Sequence, residues 1–178
     1  MPRIVSCHES IVVALPKARP GSPCAFGAKL ALSMSSNGYI TNYKLYSHNI
    51  TDIDTLREGI KSYTETFKEE FEACSADRAY YDKDLIEELE KKYCISCAIP
   101  HKKNRNHVMS ELKESIYRKR SAIEAKISEG KRVTGLNKSY YKGFSGDKMW
   151  ATLSILALNL RQLLRDMARS PGLIHKFG

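Results

Sequence analysis

Tyr117, Arg120, Glu124 and Lys131 place one aromatic ring, two cations and one carboxylate at offsets of 0, 3, 7 and 14 residues. At about 100° per residue on an α-helix these offsets fall within an arc of about 60°, so a carboxylate is expected among phosphate-binding groups on one face. Carboxylate oxygens suit hard divalent cations, while Arg and Lys suit phosphate oxygens. Such a face fits phosphodiester chemistry. The plainer alternative is an exposed ion pair of Glu124 with Arg120 or Lys131, worth under about 1 kcal/mol.

The charge pattern supports the first reading. The chain of 178 residues carries a formal charge of +9. Residues 1–100 hold 12 Lys/Arg against 14 Asp/Glu, residues 101–148 hold 13 against 5, and residues 149–178 hold 4 against 1. Almost all the excess therefore lies in the segment that contains Tyr117, Arg120, Glu124 and Lys131. A focused basic patch favours a polyanionic partner, of which nucleic acid is the commonest. A solubilising surface is the competing reading of a charge run, but it does not require a carboxylate within the run.

With 42% hydrophobic residues, the chain is long enough for one domain with a core and short for two. No run approaches 18 apolar residues and the start, Met1-Pro2-Arg3-Ile4-Val5, lacks a long apolar region, so a cytoplasmic protein without a membrane partner is expected. Five cysteines make an odd count without a secreted disulfide framework. Cys94-Ile95-Ser96-Cys97 has the spacing of half a zinc or redox site, but no second pair follows it. Packing of these thiols in a buried strand, Tyr93 to Ile99, is the preferred reading.

The elements that must position these groups follow from periodicity and capping. Residues 1–24 read as irregular because of Pro16, Pro20 and Pro23. Ala25 to Ser35 and Tyr39 to Tyr46 read as a hairpin turning at Ser36-Asn37-Gly38. A helix capped by Thr51 or Asp52 runs to about Phe67, with Leu56, Ile60, Tyr63 and Phe67 at helical spacing. Phe71 to Ala76 is a short strand ending at Asp77, and Leu85, Ile86, Leu89 and Tyr93 mark a helix from Asp82 or Lys83. After the Cys94–Ile99 strand and a basic loop, Leu112, Ile116, Ile123 and Ile127 form an apolar stripe on one helix from about Ser110 to Glu129. That stripe lies about 80° from the arc of Tyr117, Arg120 and Glu124, so one side can pack while the other faces a cleft. Gly130 is expected to end the helix, and Met149 to Met167 to form a final apolar helix.

The spacing Tyr117-x2-Arg120-x3-Glu124-x6-Lys131 resembles the Y-x2-R-x3-E-x6-K signature of DDE-type bacterial insertion-sequence transposases. Ala76-Asp77-Arg78-Ala79-Tyr80-Tyr81-Asp82 is similar to the segment around that family's second catalytic aspartate, and Ile99-Pro100-His101-Lys102-Lys103 to the basic segment after the next strand. Lys131 to Leu136, Lys142-Gly143 and Asn159-Leu160-Arg161 also resemble the family. The similarity runs from about Lys17 to Asp166.

The resemblance implies an α/β, ribonuclease-H-like fold, a mixed sheet flanked by helices, in which three carboxylates hold two Mg2+ (or Mn2+) ions for in-line phosphoryl transfer. It implies Asp77 and Glu124 as the second and third catalytic, metal-binding acids, and Tyr117, Arg120, Lys131, Lys102, Lys103 and Arg132 as DNA contacts. Read without the family, Asp77 beside Arg78 is more readily an ordinary turn residue or helix cap than a metal ligand. The first acid belongs on a first strand that nothing before Lys17 supplies. The expectation is therefore an incomplete fold, with residues 1–16 irregular, 17–168 the C-terminal part of the catalytic domain, and 169–178 a tail. Such a chain, in a bacterial or archaeal nucleoid, would bind transposon-end DNA, itself as a homodimer, or a full-length transposase, but would be inactive alone. The alternative is a non-catalytic regulatory DNA-binding or transposase-interacting fragment.

Overall fold

The computed structural model describes residues 12–16, 24–69, 71–101 and 109–169. These form two compact units, residues 50–124 and residues 1–49 with 125–178. Among the described residues the strands pair as three two-stranded ladders, not as one continuous sheet, in a mixed α/β chain.

In the 50–124 unit, α1 (Asp52–Phe67) starts where expected because the Thr51 hydroxyl accepts the Asp54 N–H at 3.1 Å. Strands β5 (Ala73–Ser75) and β6 (Ser96–Ala98) run parallel, with Cys74 opposite Cys97. A parallel pair needs a crossover, and α2 (Lys83–Lys92) supplies it, capped by Asp82 through the Leu85 N–H at 2.8 Å. Leu85 and Leu89 on α2 are 2% exposed and meet Ile95 and Cys97, with Ile53, Leu56 and Ile60 of α1 against them. Truncating either leucine to Ala would cost about 2–5 kcal/mol. Cys97 is thus core, its Sγ 3.5 Å from that of Cys74. Cys94 differs from the sequence reading: it is exposed at φ 54°, outside the strand, because the chain must reverse out of α2 before β6 begins.

The helix expected over 110–129 is two helices, α3 (Glu111–Arg118) and α4 (Ser121–Glu129). At the junction the amides of Lys119, Arg120, Ala122 and Ile123 reach back only three residues, to Ile116, Tyr117, Lys119 and Arg120. The Ser121 hydroxyl donates to the Arg118 carbonyl at 3.1 Å, and such side-chain bonding competes with the helical ladder. Leu112, assigned to the apolar stripe, is 66% exposed.

In the other unit, β1 (Val13–Pro16), within the stretch that reads as irregular, pairs antiparallel with β2 (Cys24–Gly27). Pro16 stands at a strand terminus, a place where its missing N–H is tolerated. Gly27, at φ 153°, ends β2, and Ala28 lies between it and β3 (Lys29–Met34), so the expected single strand 25–35 is two. The hairpin of β3 with β4 (Ile40–Tyr46) is present, and Gly38 turns it at φ 85°.

Helix α5 (Gly143–Arg169) begins six residues before the expected start. Ala151, Ser154, Ile155 and Leu158 bury one face of it, and Ile155 and Leu158 pack on Ile40. Asn159 locks that contact: its Oδ1 accepts the Ile40 N–H at 2.8 Å and its Nδ2 donates to the Ile40 carbonyl at 2.9 Å. Between α4 and α5 lies a π-helical turn, Gly130–Thr134, closed by Gly135 at φ 67°. Glu129 ties α4 to α5, accepting from Arg165 at 2.5 Å and Arg161 at 3.2 Å. The arginines, Arg165 foremost, hold its carboxyl below the usual carboxylate range.

Candidate functional site

Asp77 stands two residues past the end of β5, and its two oxygens have different neighbours. Oδ1 accepts the Arg78 N–H at 2.7 Å, capping a 3-10 turn over Arg78–Tyr80. Oδ2 lies 3.9 Å from Arg120 Nη1. The capping role weighed as the plain alternative is therefore real, and it leaves one oxygen for other work. Tyr80, on the same turn, has its hydroxyl pKa raised, first by burial and then by the negative charges of Asp52 and Asp77.

Arg120 sits in the junction between α3 and α4, where the helix interruption sets its guanidinium against three groups. Nη1 donates to Glu124 Oε1 at 2.7 Å, and the guanidinium carbon lies 5.3 Å from the Tyr117 ring centroid. Both carboxylates reach the same nitrogen, so Asp77 Oδ2 and Glu124 Oε1 are no further apart than those two contacts laid end to end. Burial alone would lower the arginine's pKa, but Tyr117, Glu124 and Asp77 outweigh it and raise it. The acids remain wet: their side chains are 58% and 59% exposed, against 24% for Arg120.

The structure thus brings Asp77, Tyr117, Arg120 and Glu124 together within the 50–124 unit. Lys131 and Arg132 are exposed on the π turn of the other unit, where a regular helical arc no longer applies. Lys102 and Lys103 lie outside the described residues. An apolar hollow between α1 and α2, lined by Ile60, Phe71, Leu85, Leu89 and Ile95, holds none of the four site residues. Among the described residues no three or more His, Cys, Asp or Glu side chains cluster as a metal cage.

Two hard oxygen donors that converge on one cation suit Mg2+, which commonly takes one or two protein carboxylates and completes its shell with water and phosphate. Cys74 and Cys97, soft and packed in the core, do not suit it. The Arg120–Glu124 ion pair is the plain alternative that the sequence offers for Glu124, and the sharing of that guanidinium with Asp77 is what the sequence does not show. The only signal in the sequence is the placement of one cation four residues before Glu124.

Residues 17–160 match the family model described as transposase DDE domain. No curated protein and no solved structure matches the chain. No helix among the described residues is long and apolar enough to cross a membrane.

Proposed function

Since the chain belongs to the transposase DDE domain family, whose process is DNA transposition, we propose that the cluster of Asp77, Arg120 and Glu124 is its cation- and phosphate-binding site. The observation that carries this reading is the convergence of both carboxylates on Arg120 Nη1. Asp77 and Glu124 would hold Mg2+ or Mn2+, which when bound neutralises charge at a phosphodiester. Arg120 offers a planar fork to phosphate, and Tyr117 holds that fork through its ring. Lys131, Arg132, Lys102 and Lys103 would add DNA backbone contacts that carry no sequence information.

The family implies a ribonuclease-H-like arrangement, with which Asp77 two residues past β5 and Glu124 on a helix are compatible. A third carboxylate is missing from the cluster among the described residues. Two acids hold cations less firmly than three, so the chain alone binds transposon-end DNA without completing strand transfer. Another transposase chain or a second copy of this chain would supply the remainder, which makes the isolated protein a regulator of the reaction.

The test pairs binding with cleavage. Duplex DNA binding should weaken steeply with salt, while supercoiled plasmid with Mg2+ or Mn2+ should remain intact. Nicking that disappears in Asp77→Asn and Glu124→Gln would make the chain a complete enzyme and overturn the regulatory reading. Absence of salt-sensitive DNA binding would overturn the whole proposal.

A further inference from the structure

A second cluster, in the unit that contains residues 125–178, has no part in the site above. Trp150, the chain's one tryptophan, is pinned by its indole N–H, which donates to the Gly135 carbonyl at 2.8 Å. Gly135 is at φ 67°, and a Cβ there would lie 3.1 Å from the indole ring. Tyr140 and Tyr141 both meet Trp150 edge to face, at 5.3 Å and 5.8 Å between ring centroids. The Tyr141 backbone is set by Ser139, whose hydroxyl accepts its N–H at 3.2 Å. Gly146 then lets the first turns of α5 close on it, since a Cβ at 146 would lie 2.7 Å from the Tyr141 Cβ.

Despite this seating, Tyr140 is 73% exposed and Tyr141 48%. Two adjacent, ordered rings left open to water offer flat apolar faces on which a planar partner can stack. The surrounding charge says what that is. Lys138 Nζ lies 5.6 Å from the Tyr140 centroid, and Lys131, Arg132, Lys142 and Lys148 are exposed nearby in sequence. Asp147 is the single acid between Gly130 and Trp150. Flat π faces among cations match a ligand whose flat rings are strung on anions. Duplex DNA offers the anions but hides its base faces, whereas unpaired nucleotides offer both.

We propose that Tyr140 and Tyr141, backed by Trp150 and flanked by Lys138 and Lys142, form a stacking platform for unpaired nucleotides of single-stranded DNA. The proposal rests on the DNA-binding reading above and names the form of DNA that this surface takes. No residue of the Asp77–Arg120–Glu124 cluster belongs to the platform, so the two surfaces can be tested separately.

Trp150 provides the readout, because all indole fluorescence of the full chain comes from it. Titration with a short oligothymidylate should quench that emission and show tighter binding than a duplex of equal length. Tyr140→Ala should weaken oligothymidylate binding about 5- to 150-fold, the value of roughly one stacked base, and leave duplex binding nearly unchanged. Tyr140→Phe should retain the affinity, and Lys138→Ala should flatten its salt dependence. Circular dichroism should show all three variants folded, since Tyr140 lies mostly in solvent. Unchanged oligothymidylate affinity in Tyr140→Ala, with duplex binding intact, would overturn the platform and leave the DNA reading standing. Equal quenching by heparin would also overturn it, and failure to bind either form of DNA would remove the DNA reading itself.

Discussion

Replacing Arg120 with Gln should make the protein bind divalent cations more tightly and DNA more weakly. The guanidinium stands 2.7 Å from Glu124 Oε1 and 3.9 Å from Asp77 Oδ2, so any dication between the two acids must approach it closely. One positive charge about 4 Å from a dication costs about 2 kcal/mol at the dielectric of water. Side chains more than half exposed call for that screened value or less. The gain on removal is then about 1–2 kcal/mol, or roughly 5- to 30-fold in Mn2+ affinity. Stability should fall by only about 1 kcal/mol, from two exposed ion pairs and one cation–π contact. Isothermal titration with Mn2+ checks the first effect, and salt-dependent DNA binding the second, where the slope should drop by about one phosphate contact. Adding Asp77→Asn to the Arg120→Gln variant should abolish the gain. Unchanged or weaker Mn2+ binding in Arg120→Gln would refute the argument that these two carboxylates act on one cation.

Three further outcomes test the framework around the site. Asn159→Ala leaves the Ile40 N–H and carbonyl without their partners and should lower the stability of its unit by about 1–3 kcal/mol in urea unfolding. The depressed carboxyl pKa of Glu129, caused first by Arg165, contributes stability that is complete above its unfolded value of about 4.3 and is lost as pH falls through the lower folded value. Glu129→Gln should therefore destabilise near neutral pH and remove part of the acid-induced loss, as a pH series of unfolding midpoints would show. Gly135→Ala forces a side chain into a left-handed backbone and against the indole; it should cost about 1–2 kcal/mol and shift the emission of Trp150.

Where local chemistry decides structure, the sequence was readable. The helix capped at Thr51, the helix that starts after Asp82, the Ser36-Asn37-Gly38 turn and the short strand leading to Asp77 all lie where side-chain types demand them. Long-range pairing was not readable: β1 ends in Pro16 and has no signal strong enough to outweigh it, and its ladder with β2 becomes apparent only when both are in place. The interruption at Lys119–Arg120 was hidden for another reason. Tyr-Arg-Lys-Arg-Ser contains neither Gly nor Pro, and the hydroxyl of Ser121 that competes for the Arg118 carbonyl also occurs in unbroken helices. Regular helical geometry puts Tyr117, Arg120 and Glu124 on one face, and they do meet, but across a tightened turn. Lys131 follows a change from α- to π-helical winding, which periodicity cannot anticipate.

The split attachment of Asp77 has a bearing on how its importance is measured. One oxygen is structural mortar for the turn after β5, and the other looks outward to Arg120. Truncation to Ala discards both at once, so a dead Ala variant would confuse a slackened turn with a lost ligand. Asn keeps an oxygen for the Arg78 amide and discards the negative charge, while Glu keeps the charge and moves it off the turn. Comparing those two replacements would divide a single side chain into its architectural half and its chemical half.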